Sequence, residues 1–236
     1  MKKIKIQVIK LGKQKNEEMF KKLKKYKSEI FEISIFEKSR PNCDYGWGYS
    51  FNTLKNLLIE DFNSKEFDLC IGFVDTEIEN NYFGKRLDKN NLYVISFYEV
   101  DNILKNENIS IFNYMITTIY RYVTRYIIKG KYLTHDETRG CIFDMCGDKN
   151  DVVYSCKQPI VCNECISKIK ESLCPENYLR ILNKELTKVR KTFYYKISDF
   201  IKLHPLISLI IGIVTTIILN LLSSIIYDIG KKIITN

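Results

Sequence analysis

The stretch 135–165, HDETRGCIFDMCGDKNDVVYSCKQPIVCNEC, holds five of the chain's eight cysteines and one of its two histidines. Thiols and an imidazole at this density can form a disulfide knot, a metal site or a redox centre. Cys162-Asn-Glu-Cys165 is a CxxC pair, a spacing that lets two thiolates chelate one ion on a tight turn. A redox CxxC of the thioredoxin kind follows a strand directly and opens a helix, and that context is poor here. A tetrahedral metal site needs two more donors. His135, Cys141 and Cys146 are the candidates upstream, Cys156 is near enough to be considered, and Cys174 falls too far along the chain. By spacing alone, Cys141 with Cys146 completes a four-cysteine site as readily as His135 with Cys141.

Compartment bears on the choice. A secreted chain opens with an apolar h-region and a small-residue cleavage site, whereas this one opens MKKIKIQVIK, with charges interleaved among apolar residues. The opening reads as a strand, so the cysteines are expected in a reducing cytosol, where stable disulfides are rare. Metal binding is then the leading chemistry.

The elements that must position these residues can be read from periodicity. IKIQVIKL (4–11) alternates like a half-buried strand, EEMFKKLKKY (17–26) has helical spacing, and EIFEISIF (29–36) is a second strand. PNCDYGWGYS is a loop by its Pro, Asn and Gly content, and TLKNLLIEDF is helical. FDLCIGFV (67–74) and NLYVISFY (91–98) are nearly continuous apolar runs, as expected of central strands buried on both faces. SIFNYMITTIYRYVTRYIIKG is a helix rich in β-branched and aromatic residues, which burial must hold. With 236 residues and 45% hydrophobic content the chain can build one real core plus an appendage, and disorder is excluded. The fold class expected is α/β, a compact mixed sheet with helices over residues 1–172 and a metal-stapled loop.

Beyond it, Leu179, Leu182, Leu186, Val189, Phe193, Ile197 and Phe200 recur every three or four residues. They predict one long amphipathic helix over 175–203, whose apolar stripe needs the domain surface, a membrane interface or another copy as partner. LISLIIGIVTTIILNLLSSIIY (206–227) follows, 22 residues without a charge. At about 1.5 Å per residue it matches a bilayer's hydrocarbon thickness of about 30 Å. A single transmembrane helix is expected over 205–229, started by His204-Pro205 and ended by Asp228, Gly230, Lys231 and Lys232. The net charge of +9 has one basic group near the start, from Lys10 to Lys27, and a second just before the span: Lys184, Lys188, Arg190, Lys191, Lys196 and Lys202. The second group favours a cell-membrane protein with its α/β domain on the cytoplasmic side. Along the span Ser208, Gly212, Thr216, Asn220, Ser224 and Asp228 recur every four residues as one ridge of small and polar side chains, which predicts self-association into a homo-oligomer.

CIFDMCGDKNDVVYSCKQPIVCNEC with the helix ISKIKESL after it resembles the zinc-binding tail of the archaemetzincins, metzincin-like zinc peptidases. In that family a Cys-x-Met segment and a distant CxxC share a structural zinc beside a catalytic H-E-x-x-H-x-x-G-x-x-H helix. Cys141-Ile-Phe143 matches the Cys-x-Met with Phe143 at the Met position, and Cys162 and Cys165 match the pair within one residue of spacing. The resemblance covers 67–168 and includes the strand, loop and strand of DLCIGFVDTEIENNYFGKRLDKNNLYVISFYEV. It implies zinc as cofactor, and the expected ligands are His135, Cys141, Cys162 and Cys165, with Cys146 the alternative fourth. The catalytic motif would fall on RYIIKGKYLTH, placing Arg125, Tyr126, Lys129 and His135 where His, Glu, His and His would stand. Cations repel a metal ion and offer no general base. A catalytic zinc is therefore not expected, although Asp136, Glu137 and Asp144 are carboxylates within reach of the stretch.

Three functions follow. A degenerate enzyme fold on a tail anchor fits a non-peptidase sensor or effector, an arrangement similar to compact bacterial defence and cell-death effectors, triggered by an unknown ligand or protein. A membrane-tethered zinc-dependent peptidase or hydrolase built around His135, Asp136 and Glu137 is the alternative. A zinc-ribbon nucleic-acid binder is disfavoured, because no basic-aromatic face is concentrated near the CxxC.

Overall fold

The alternation read in the sequence becomes a five-stranded sheet in a computed structural model that describes residues 2–88, 91–129, 133–136, 138–172 and 174–234. The strands are β1 (Ile4–Leu11), β2 (Phe31–Lys38), β3 (Leu69–Val74), β4 (Gly84–Arg86) and β5 (Leu92–Ser96), in the order β2-β1-β3-β5-β4. The first four in that order run parallel, with Val8 opposite Ile35 and Ile71, and Ile71 opposite Tyr93. β4 pairs antiparallel with β5, Lys85 opposite Val94, and makes the sheet mixed. Three residues are too few to carry a period, so β4 has no signature in the sequence.

Because side chains alternate across a strand, one set of residues feeds each face. Ile6, Val8, Leu69, Ile71, Phe73, Tyr93 and Ile95 pack into the larger core, against α1 (Glu17–Lys25) and α4 (Ile111–Ile127). Ile9, Leu11, Cys70, Val74, Leu92 and Val94 pack against Leu54 and Leu58 of α2 (Phe51–Asp61). Gly72 has a specific role on that face, since a Cβ there would stand 2.9 Å from the Leu58 side chain.

The short helix α3 (Val100–Asn106) follows β5, and α4 then starts at Ser110, whose hydroxyl accepts from the Phe112 amide. Most of the helix is buried, and Thr117 and Thr124 return their hydroxyls to carbonyls of the preceding turn. After it come α5 (Val152–Lys157), which the periodicity did not predict, and α6 (Asn163–Lys170).

The single helix expected over 175–203 is corrected: it is two helices, α7 (Tyr178–Leu186) and α8 (Phe193–Leu203). α7 packs into the α/β core. Tyr178, Leu182 and Leu186 are buried there, and the buried Glu185 carboxylate accepts from the Ser28 hydroxyl at 2.6 Å, the Glu29 amide at 2.5 Å and the Tyr120 hydroxyl at 2.5 Å. The chain leaves helical geometry after Thr187. Val189 and Lys191 remain buried, and the Lys191 ammonium donates to the Glu107 carbonyl at 2.5 Å. Neither Gly nor Pro marks the break. It is these tertiary contacts, with the β-branched Thr187, Val189 and Thr192, that outweigh continued helix.

The chain divides into two compact units, Met1–Lys191 and Thr192–Asn236. The second consists of α8 and α9 (Pro205–Ile234). Over Pro205–Ile226, 22 residues with mean hydropathy 2.4, α9 is long and apolar enough to cross a membrane, and none of that window is buried.

Candidate metal centre

Between α4 and α6 the chain makes a loop in which short-range pairing brings distant cysteines together. His135 bridges to Asp144, and the Met145 amide donates to the His135 carbonyl at 2.8 Å. Gly140 turns the chain at φ +91°, which glycine adopts without a Cβ penalty. Past that turn the Ile142 amide donates to the Ile160 carbonyl and the Ile160 amide to the Gly140 carbonyl, both at 2.9 Å, so Cys141 lies beside the segment that leads to the CxxC. Cys162 stands at the N-cap of α6 and Cys165 within its first turn. α4 fixes the loop from below: Arg121 donates from Nε to the Ile142 carbonyl and from Nη2 to the Asp144 carbonyl, the latter at 2.8 Å.

The outcome is that the donor atoms of His135, Cys141, Cys162 and Cys165 all lie within 4.8 Å of one another. The imidazole Nε2 is 3.3 Å from the Cys141 sulfur and 3.5 Å from the Cys162 sulfur, and the Cys141 and Cys165 sulfurs are 4.0 Å apart. With metal bonds of about 2.3 Å to sulfur and 2.0–2.1 Å to nitrogen, a tetrahedron has edges of about 3.6–3.8 Å. The three shortest contacts lie within about 0.3 Å of those edges, and the full donor set stays within 4.8 Å. Three thiolates and an imidazole suit zinc, and Nε2 is the ring nitrogen turned to the sulfurs. His135 Nδ1 is buried and has no hydrogen-bond partner among the described residues, whereas a ligating imidazole usually donates its other ring N–H to an outer carbonyl or carboxylate.

The electrostatics suit an electrophile. The hydrogen bond shared with Cys165, together with backbone amides, holds the Cys141 thiol down to about 5, and the same contact pushes Cys165 up. Because thiolates are the ligating form, a metal ion here would displace the thiol protons. The N-terminus of α6 directs its partial positive charge at Cys162 and Cys165. Lys168 is held charged chiefly by Glu164 at 2.6 Å, with the Cys165 and Cys162 sulfurs adding to the effect.

The other residues singled out in the sequence lie elsewhere. Cys146 is buried, its thiol donates to the Asp144 carbonyl at 3.7 Å, and burial pushes it up to about 11. Cys156 is buried against Thr117 and pushed up to about 12 by burial. Asp144 is buried and accepts from the Cys146 amide at 2.9 Å, Asp136 is exposed, and Glu137 lies outside the described residues. Arg125 donates to the Thr134 hydroxyl, next to His135, and the Tyr126 hydroxyl donates to Asp68 at 3.1 Å. Lys129 is exposed, at φ +45°.

On α9, the Ser208 hydroxyl returns to the His204 carbonyl and that of Thr216 to the Gly212 carbonyl, both at 2.9 Å. Nothing stands within 4 Å of where a Cβ of Gly212 would be, and Asn220 and Ser224 are exposed. The side chains of Asp228, Lys231 and Lys232 lie outside the described residues. Arg121 was missed in the sequence, although a cation inside an otherwise apolar helical run is a signal that its head group has a fixed acceptor.

No protein-family model and no curated protein matches the sequence. Among solved structures the chain is similar to a zinc-dependent peptidase from Methanocorpusculum labreanum, with a TM-score of 0.48 and 11% identity, covering 70% of this chain and 99% of that one. It is also similar to archaemetzincin from Archaeoglobus fulgidus complexed with malonate, with a TM-score of 0.45 and 17% identity, again over 70% and 99%.

Proposed function

We propose that the chain is a membrane-anchored zinc-binding protein whose metal is structural and whose α/β unit acts as a non-peptidase sensor or effector. The observation that carries this reading is the direction of His135. It is the one imidazole in Met1–Lys191, and its Nε2 is turned to Cys141 and Cys162. Arg125, Tyr126 and Lys129 stand where the archaemetzincin motif carries its remaining ligands and its base, and the first two are engaged as props, to Thr134 and Asp68. A cation at a ligand position repels a metal ion and cannot activate water. The zinc then does what a staple does: it joins the turn at Cys141 to the start of α6 and orders the loop between them.

Metal analysis of the full-length protein in detergent tests this. One zinc per chain, retained in Arg125→Ala and lost in Cys162→Ser/Cys165→Ser, supports a structural site. A second, labile metal with chelator-sensitive cleavage of a peptide library, abolished by Glu137→Gln, would replace it with the hydrolase reading.

The anchor is α9, the length and lack of charge of its Pro205–Ile226 part supporting a single span with the basic residues before it on the cytoplasmic side. Self-association through the ridge of Ser208, Gly212, Thr216, Asn220 and Ser224 completes the proposal. Since Ser208 and Thr216 bond to their own helix, close approach at Gly212 and the Asn220 amide would supply the specificity. Cross-linking in detergent together with dye release from vesicles separates an oligomeric scaffold from an oligomer that opens the bilayer.

A further inference from the structure

We infer that α8 is a lipid-interface helix, lying in the headgroup layer with its aromatic face toward the acyl chains. The inference rests on the reading of α9 as a membrane span. No residue of α8 is buried, and Phe193 and Tyr194 are 77% and 73% exposed. At 100° per residue, Phe193, Tyr194, Ile197, Phe200 and Ile201 share one arc of about 120°, and the rest of the circumference carries Lys196, Ser198, Asp199 and Lys202 together with Tyr195 and Leu203. Such a face is not stable in water, and something must cover it.

What covers it follows from the chain. One residue, His204, separates Leu203 from Pro205, where the uncharged run begins. The C-terminal end of α8 is therefore held at the bilayer surface if α9 enters lipid. Eleven residues make a helix of about 16 Å, and lying flat it sets its apolar face about 5–10 Å into the boundary between headgroups and acyl chains along its whole length. Phe and Tyr are the side chains that favour this depth, and Lys196 and Lys202 can extend their ammonium groups back to phosphate while their stems stay among lipid. Pairing with a second copy is disfavoured by length, since three turns give too little buried stripe to offset the ordering of two helices.

The experiment uses the full-length chain in vesicles of phosphatidylcholine and phosphatidylglycerol, in a Trp47→Phe background. Trp47 is the single tryptophan and is 86% exposed, so its removal leaves a dark and undisturbed protein. One tryptophan is then placed at a time by Phe193→Trp, Phe200→Trp, Ser198→Trp or Ile217→Trp, and quenching is read with lipids brominated near the headgroup, lipids brominated deep in the chain, and aqueous acrylamide.

The expected result is loss of emission at 193 and 200 to shallow bromine, with little to acrylamide. Position 198 should lose emission to acrylamide, and position 217 to deep bromine. If 217 is quenched by deep bromine while 193 and 200 respond to acrylamide alone, the span stands and the interfacial helix is wrong. If 193 and 200 are shielded from both quenchers, protein covers the face and the inference is equally overturned. Failure of deep bromine to quench 217 removes the span itself, and the inference with it.

Discussion

In Met1–Lys191 the large side chains Phe31, Phe73 and Tyr120 are at most 2% exposed, whereas in Thr192–Asn236 Phe193 is 77% exposed and Ile226 is 69% exposed. Both units are rich in Ile, Leu and aromatic residues. In the first, the apolar rows of the inner strands β1, β3 and β5 have helices laid over them, so folding alone removes them from water. In the second, two helices leave almost all of their apolar surface open, and folding supplies no cover. The same chemistry therefore serves two solvents, a protein interior and, under the proposed reading, a bilayer. Polar groups divide the same way. Glu185 is bonded to three donors in the core, while the hydroxyls of Ser208, Thr215 and Thr216 turn back to their own helix, the one acceptor available without a tertiary partner.

The sharpest way to separate the two units is to remove the staple. Cys162→Ser/Cys165→Ser should lose zinc and destabilise Met1–Lys191 by several kcal/mol, because site formation and folding are coupled there. Protection of the amides of α4 and α6 from hydrogen exchange should collapse in detergent while that of α9 persists. A protein that keeps its metal and its protection would refute the staple.

Next in size is Glu185→Ala, which removes the acceptor of the buried Ser28 hydroxyl and of the Glu29 amide and leaves the Tyr120 hydroxyl with Tyr26 at 3.0 Å. A loss of about 3 kcal/mol is expected in chemical denaturation of the α/β unit. Membrane insertion, read by carbonate extraction, should not change.

Asn220→Leu acts on the other unit alone. If the ridge is an interface, dimerisation in detergent should weaken by about 0.6–2 kcal/mol, read from the concentration dependence of cross-linking, with the α/β unit's unfolding unaltered.

The smallest effect belongs to the surface of the sheet. A hydrogen bond from Lys10 holds Glu17 below the usual carboxylate range. Burial pulls Lys10 down, but its bonds to Glu17 and Glu37 outweigh this and leave it raised. The Glu17 contribution is thus present above its ordinary value of 4.5 and fades as pH falls below that. The Lys10 contribution is present below its ordinary 10.5 and fades as pH climbs through the raised value. Glu17 is half exposed, so Glu17→Gln should cost under about 1 kcal/mol at neutral pH. The difference between the two proteins should shrink as the pH falls below 4.5, as urea unfolding across the acid range would reveal.

What the sequence determined by itself is what rests on near neighbours in the chain. Strand β1 over 4–11, the helical run of α4, the CxxC chelate and the 22-residue apolar segment are all patterns of period two or three to four, or simple lengths, and local geometry produces them wherever they occur. Tertiary structure decided the rest. His135 and Cys146 stand six and five positions from Cys141 in sequence, yet one turns its nitrogen to the sulfurs and the other is buried beside Asp144, because the bridge to Asp144 and the turn at Gly140 orient the two sides of the loop differently. The stripe from Leu179 to Phe200 is continuous on paper. It breaks after Thr187 because Glu185 and Lys191 are each engaged by residues tens of positions away, and a helix cannot satisfy both of those partners and its own axis at once. Arg121, which carries the loop, has its acceptors at Ile142 and Asp144, a full segment downstream. Periodicity reports which face of an element is apolar. Which element meets that face depends on the path of the whole chain, and no window of the sequence contains it.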